Sequence, residues 1–196
     1  MTDGAAGAAV ESDSELMAKV RDGELERLSE LFERHHRRLF GFFLRLSGER
    51  SAAEDLVQEV FVRLLKYRHT FKTDAEFTPW MFTLARHAAV DSFRGRPKEL
   101  QEDPEAPEPA APATAAADHP AERLEQRERA ALLHAAPRKL APEKRELLLL
   151  ARFGEMRYDS IGELLGITVG AVKVRVHRAL KELRAAYRAV AGEEMA

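Results

Sequence analysis

The 196-residue chain contains no cysteine. That absence excludes a disulfide framework, thiolate-bound zinc and thiol chemistry, and it agrees with a reducing compartment. Long apolar runs are also missing. The densest, Leu147-Leu148-Leu149-Leu150-Ala151, falls far short of the ~18 residues a membrane span requires. The first residues, MTDGAAGAAVESDSE, lack the basic n-region and apolar h-region of a signal peptide. Residues 1–12 are therefore expected to be a disordered leader on a cytoplasmic protein. Histidines stand scattered at positions 35, 36, 69, 87, 119, 134 and 177. No HExxH pair, Gly-rich phosphate loop or acidic metal cluster accompanies them. The expectation is no catalytic residue, no metal, no cofactor and no small-molecule substrate. His35 and His36 lie among Arg34, Arg37 and Arg38, which reads as a solvated or partner-facing edge rather than a ligand pair.

What is present is unevenly distributed. The 31 basic and 33 acidic residues leave a formal charge of −2, but the two signs occupy different segments. ELQEDPEAPEPAAPATAAADHPA, residues 99–121, holds six acids and no lysine or arginine. Its five prolines among alanines can neither propagate a helix nor pair as a strand, so it reads as a semi-extended tether. Two modules follow, 13–98 and 122–190, with a short tail at 191–196. A hydrophobic content of 45% suffices to fold them.

Both modules read as all-α. In the first, Leu28, Leu31, Phe32, Leu39, Phe42, Phe43 and Leu46 recur at helical spacing. Ser51 and Glu54 have the spacing of a capping box ahead of the stripe Leu56, Val57, Val60, Phe61, Leu64 and Leu65. Thr78-Pro79 reads as an N-cap and N1 pair for a helix that buries Trp80, Met81, Leu84, Ala85 and Ala88. In the second, one helix is expected through Leu124, Leu132 and Leu133, and another opens at Pro142 and carries Leu147, Leu148 and Ala151. The short segment 160–165, the turn Gly166-Ile167-Thr168 and a long basic segment then have a helix-turn-helix layout.

The basic segment, ITVGAVKVRVHRALKELR and the residues after it, carries Lys173, Arg175, Arg178, Lys181, Arg184 and Arg188 against the single acid Glu182. At ~100° per residue, Val172, Val176, Ala179, Leu180, Leu183 and Tyr187 share a core side. Val174, Arg178 and Lys181 lie opposite, bordered by Gly170 and His177 and flanked by Lys173. Such a helix neutralises phosphates. Arg178 can reach a guanine edge, Val174 a thymine methyl, and Thr168 heads a helix N-terminus suited to a phosphate.

SAAEDLVQEVFVRLL (51–65), FTPWMFTLARHAAVDSFR (77–94) and LAPEKRELLLLARFGEMRYDSIGELLGITVGAVKVRVHRALKELR (140–184) resemble, in order and spacing, the two domains of bacterial extracytoplasmic-function (ECF) sigma factors of the sigma-70 family. The resemblance covers nearly everything from Asp13 to Tyr187 except the tether. It implies a sigma-2-like domain at 13–98 that docks on the coiled coil of the largest subunit of core RNA polymerase and recognises the −10 element. It implies a sigma-4-like domain at 122–190 that reads the −35 element of promoter DNA. Asp55, Gln58 and Glu59 match the docking motif, and their i, i+3, i+4 spacing places them on one side of a helix.

The segment 67–96 resembles the part that captures a separated −10 strand, a task served by rings and cations. Its candidates are Arg68, His69, Phe71, Lys72, Arg86, His87, Arg94 and Arg96, with Trp80 assigned to the core. For −35 contact the candidates are Thr168, Gly170, Ala171, Lys173, Val174, Arg175, His177, Arg178 and Lys181. The family also implies an anti-sigma factor as a partner.

Five positions depart from the usual pattern. Ala171 and Val174 stand where relatives carry Thr and Ser, His87 follows Arg86 in place of the usual Arg-x-Asn, Ser160 replaces an acid, and Gly162 replaces an alanine. They point to a different promoter preference. The competing readings are a stand-alone helix-turn-helix regulator, which leaves the first module without a role, a protein-binding helical adaptor, and an enzyme.

Overall fold

The computed structural model describes residues 11–94, 137 and 139–193. Among them, every regular element is helical, as the periodicity predicts. The first group is α1 (Asp13–Asp22), α2 (Arg27–Ser47), α3 (Arg50–Lys66), a 3-10 turn at Arg68–Thr70, and α4 (Phe77–Arg94). Leu16, Met17 and Val20 of α1, Leu31, Leu39, Phe42 and Phe43 of α2, Leu56, Val60 and Leu64 of α3, and Met81, Phe82 and Ala85 of α4 are buried together. Phe42 meets Phe43 and Phe82 edge-on, each pair with centroids 5.3 Å apart. Each large apolar side chain of this kind contributes about 1.5–3 kcal/mol when fully buried, so the shared core outweighs any single surface pair.

Two helix starts differ from the expectation. Gly48 closes α2 in the left-handed region at φ 77°, which leaves Glu49 extended. The N-cap therefore falls on Glu49, not Ser51, and no side chain caps it. Ser51 lies within the first turn and donates to Glu49 Oε1 at 2.8 Å, while Glu54 accepts from Arg50 at 2.9 Å. The expected Ser51–Glu54 capping box is absent. Likewise α4 begins at Phe77, not after Thr78, because Phe77 N–H finds an acceptor in another helix, Ser14 Oγ of α1 at 3.1 Å. Pro79 still falls in the first turn, where its missing N–H costs nothing. The capping box that does form is Ser12–Glu15 at the start of α1.

His35 also departs from the expectation of a solvated edge, being 4% exposed. Its Nε2 lies 2.7 Å from Asp13 Oδ2, and Arg34 Nη1 donates to Asp13 Oδ1 at 2.8 Å. Together these pin α1 onto α2. Nδ1 of His35 is buried without a partner, the one such side-chain atom among the described residues. Burial holds this imidazole below its ordinary value, with Asp13 opposing and Arg38 and Arg34 adding to the depression. The physical reason is direct: protonation would place an N–H on Nδ1 where nothing accepts it.

The second group is α5 (Pro142–Phe153), α6 (Tyr158–Leu165) and α7 (Val169–Glu193). Pro142 occupies N1 of α5 as expected. Leu147, Leu150, Met156, Ile161, Val172 and Val176 are buried and continue one hydrophobic cluster with the first group. Gly166 ends α6 at φ 66°, the left-handed conformation that favours glycine, and three residues later α7 begins. The predicted apolar stripe of α7 holds only in its first half. Val172, Val176 and Ala179 are buried, but Leu180 is 40% and Tyr187 37% exposed. The 25-residue α7, ~37 Å long at 1.5 Å per residue, outruns the 12-residue α5 and 8-residue α6 beneath it. The tether 99–121 and the expected helix through Leu124, Leu132 and Leu133 lie outside the described residues.

Candidate nucleic-acid interface

The outward face of α7 follows from its inward one. With Val172, Val176 and Ala179 fixed in the core, Lys173, Val174, Arg175, His177, Arg178 and Lys181 are all exposed. Thr168 Oγ1 accepts the N–H of Ala171 at 3.2 Å, the capping role its position predicts. Gly170 is exposed, and a Cβ added there would meet open space. Ala171 is half-buried.

Glu182, the acid among the cations, is bound through both oxygens at 2.7 Å by Lys144 of α5. Its charge is neutralised at the side of the helix, so the exposed cations from Lys173 to Arg188 have no unpaired acid among them. Positive charge without an interspersed acid is what phosphate contact requires. Exposed Val174, by contrast, offers only an apolar contact to a base.

Gly162 has a packing reason that the sequence alone does not reveal. It is buried in α6, and a Cβ there would sit 2.7 Å from the carbonyl oxygen of Ile167. That carbonyl belongs to the turn, so α6 and the start of α7 approach more closely than an alanine permits.

On α3, Asp55 and Gln58 are exposed and Glu59 is half-buried. Val62, one helical turn beyond Gln58 on the same side, is 58% exposed. Sequence reasoning missed it, although the spacing 55, 58, 59, 62 is i, i+3, i+4, i+7. Glu59 is not a freely rotating carboxylate: Arg63 Nε donates to it at 2.6 Å and Arg63 Nη1 lies 2.9 Å from Asp91 of α4.

The strand-capture candidates divide. His69, Lys72 and His87 are exposed. Arg68 is half-buried and donates to Leu65 O at 2.8 Å. Phe71 is a correction: it is 2% exposed and packs against Trp80, with centroids 5.1 Å apart, and Phe77. Three rings from two segments bury one another, so Phe71 serves the core, and Trp80 packs against that core as expected. Tyr67, 37% exposed, is the ring that remains at the surface there. Arg86 is turned toward α5, where its Nε donates to Glu146 at 2.8 Å. Arg94 is the last residue of α4, and Arg96 lies outside the described residues.

An exposed basic helix behind a tight turn stands beside a helical body that carries Asp55, Gln58 and Glu59 along α3. Comparison with known proteins gives the family. The family model described as Sigma-70 region 2 matches residues 31–98, and that described as Sigma-70, region 4 matches residues 130–183. RNA polymerase sigma factor CarQ of Myxococcus xanthus is 33% identical over 168 residues, covering 86% of this chain and 93% of the relative. ECF RNA polymerase sigma factor SigW of Bacillus subtilis is 24% identical over 171 residues, 85% of this chain and 91% of the relative. In fold, the chain is similar to CnrH in complex with the cytosolic domain of CnrY, with TM-score 0.68 and 24% identity over 91% of this chain and 99% of that one. The chain belongs to the ECF group of the sigma-70 family, RNA polymerase sigma factors that direct promoter-specific transcription initiation. The sigma factor is thereby favoured over a stand-alone helix-turn-helix regulator.

Proposed function

We propose that this sigma factor docks on core RNA polymerase through Asp55, Gln58, Glu59 and Val62. It reads the −35 element as duplex through the outer face of α7 and takes the −10 element as a separated strand along 67–94. The carrying observation is the acid-free outer face of α7, kept so by the Lys144–Glu182 pair. Lys173, Arg175 and Lys181 engage phosphates, while Val174 and Arg178 face base edges. Val174 favours a thymine methyl where a hydroxyl side chain would favour a polar edge, so the −35 preference differs from that of relatives with Ser at this position.

Tyr67, His69, Lys72 and Arg86 supply the ring and the cations for the strand. Linking two modest readers gives avidity when one polymerase presents both elements. The chain acts in the cytoplasm, where the polymerase is, and contributes binding rather than catalysis. A solved neighbour is the sigma factor RpoE in complex with the anti-sigma factor NepR from Bartonella quintana. An anti-sigma factor is accordingly the proposed inhibitor of this chain.

The test is selection of promoters from a random −35/−10 library by reconstituted holoenzyme. A bipartite consensus whose −35 half changes with Val174→Ser supports the reading. Footprints by the chain alone, with no gain from core polymerase, would favour a stand-alone regulator.

A further inference from the structure

The segment between the 3-10 turn and α4 is held from outside, by α1. Ser14 and Arg21 stand seven positions apart on α1. Two helical turns separate them, so they share one side of the helix, about 10 Å apart at 1.5 Å per residue. Ser14 Oγ donates to Ala75 O at 3.2 Å and accepts the N–H of Phe77 at 3.1 Å. Arg21 Nη1 donates to Thr73 Oγ1 at 2.7 Å and, more weakly, to Phe71 O at 3.4 Å. One helix therefore grips both ends of residues 71–77.

The two grips are themselves fixed. Asp22 engages the other edge of the Arg21 guanidinium, Nε with Oδ1 at 2.8 Å and Nη2 with Oδ2 at 3.1 Å. This two-point pairing sets the plane of the fork and leaves Nη1 for Thr73. At the opposite end of α1, Asp13 is held by Arg34 and His35 of α2. Phe71 and Phe77 are each 2% exposed, so the segment enters and leaves through the core. Between them Lys72, Thr73, Asp74 and Glu76 are exposed, and the N–H of Ala75 closes a turn on Lys72 O at 3.0 Å. A polar surface turn with buried ends and side-chain ties from a neighbouring helix is preorganised rather than loose.

We propose that Ser14 and Arg21 are positioning residues for −10 discrimination. They brace the turn 72–75 in one shape, and that shape decides which unstacked base the strand-binding surface beside it accepts. The discriminating role rests on the strand-capture reading of 67–94 above; the brace itself does not. Neither residue needs to touch DNA. A pocket for an extruded base discriminates through close fit and fixed hydrogen-bonding groups, and both blur when the backbone that carries them shifts. Affinity for the strand backbone comes from cations, so it is less sensitive to the brace. Because Arg21 is itself a cation, a direct phosphate contact is the competing reading.

Arg21→Met, Thr73→Val and the double variant form a cycle on the Arg21–Thr73 bond, and Ser14→Ala tests the other grip. Thr73 is exposed, so its variant guards against a fold defect in α1. Each full chain is joined to core polymerase. Binding is then measured to labelled single-stranded −10 oligonucleotides that differ at one base, at two salt concentrations. The parent discriminates among the bases. Arg21→Met, Thr73→Val and Ser14→Ala each reduce that discrimination about three- to tenfold, and the double variant loses no more than either single change. Core affinity and −35 discrimination stay at the parent's values. Amide exchange on the free chains is faster at 72–76 in every variant and unchanged along α2 and α3.

Parent-like exchange at 72–76 in the variants overturns the brace, and parent-like discrimination overturns its role. Additive losses in the double variant, with a salt slope reduced by about one in Arg21→Met alone, assign Arg21 to a phosphate and overturn its positioning role. Equal losses on every oligonucleotide show a brace that serves folding alone and overturn the discriminating role. A parent that binds every single strand alike overturns the strand-capture reading and the discriminating role with it, while amide exchange still decides the brace.

Discussion

Arg63 holds two carboxylates at once, Glu59 on its own helix at 2.6 Å and Asp91 of α4 at 2.9 Å. An exposed i, i+4 pair alone contributes only about 0.3–0.5 kcal/mol. Here the guanidinium side chain is 18% exposed and is anchored to a second helix, so its main effect is to fix where the Glu59 carboxylate points. The expected outcome is graded. Gln58→Ala with Glu59→Ala weakens core polymerase binding about tenfold or more, ~1.4 kcal/mol, while Arg63→Met weakens it by a smaller factor. Fluorescence anisotropy with labelled sigma factor measures both, and equal core affinity in parent and double variant would remove α3 from the docking surface.

Arg178 and Lys173 should behave differently although both are exposed on α7. Arg178→Ala changes discrimination at one −35 position by about 1–3 kcal/mol, whereas Lys173→Ala weakens all promoters alike and reduces the salt slope by about one. Holoenzyme binding to single-base promoter variants at two salt concentrations separates them. A uniform loss for Arg178→Ala assigns it to the backbone instead.

How much of this was legible from residues alone follows the range of the interactions. The spans of α2 and α3 and the α6–turn–α7 unit depend on spacings within one or two turns, and Gly166, Pro142 and Thr168 act locally where the sequence indicates. Non-local partners account for the misses. Phe77 starts α4 because Ser14, sixty-three residues away, accepts its N–H. Phe71 leaves the surface because Phe77 and Trp80 close over it. Glu146 takes Arg86, sixty residues off. The Ser12–Glu15 box was a local signal left unread, and Val62 a helical spacing left unextended.

His35 gives a pH dependence of stability. Its folded pKa lies below its unfolded one, so as pH falls through the ordinary imidazole value near 6.5 the unfolded chain takes up a proton that the folded chain refuses. Stability is full above that value and declines below it. The decline levels off once the folded imidazole, faced by Asp13, Arg34 and Arg38, is itself protonated. Urea unfolding at pH 7.5 and 5.5 should show the loss in the parent and a smaller one in His35→Gln. An identical pH slope in both would contradict the buried neutral imidazole.

Gly162→Ala sets two effects against each other. Alanine gains roughly 1 kcal/mol of helix propensity over glycine, but its Cβ at 2.7 Å from the Ile167 carbonyl oxygen forces backbone to move, and overpacking costs about 1–3 kcal/mol. The clash should win. The variant is expected to melt lower and to weaken −35 binding, since the displaced turn carries Thr168 and the start of α7. A melting temperature at or above the parent's would show that the turn yields freely.

The most direct measurement of the central claim is transcription reconstituted from core polymerase, this chain and supercoiled library DNA, with start sites mapped. The account predicts new start sites that appear only with the chain, share a bipartite upstream consensus, and vanish when Gln58 and Glu59 are both alanine. Unchanged start sites with and without the chain would contradict it.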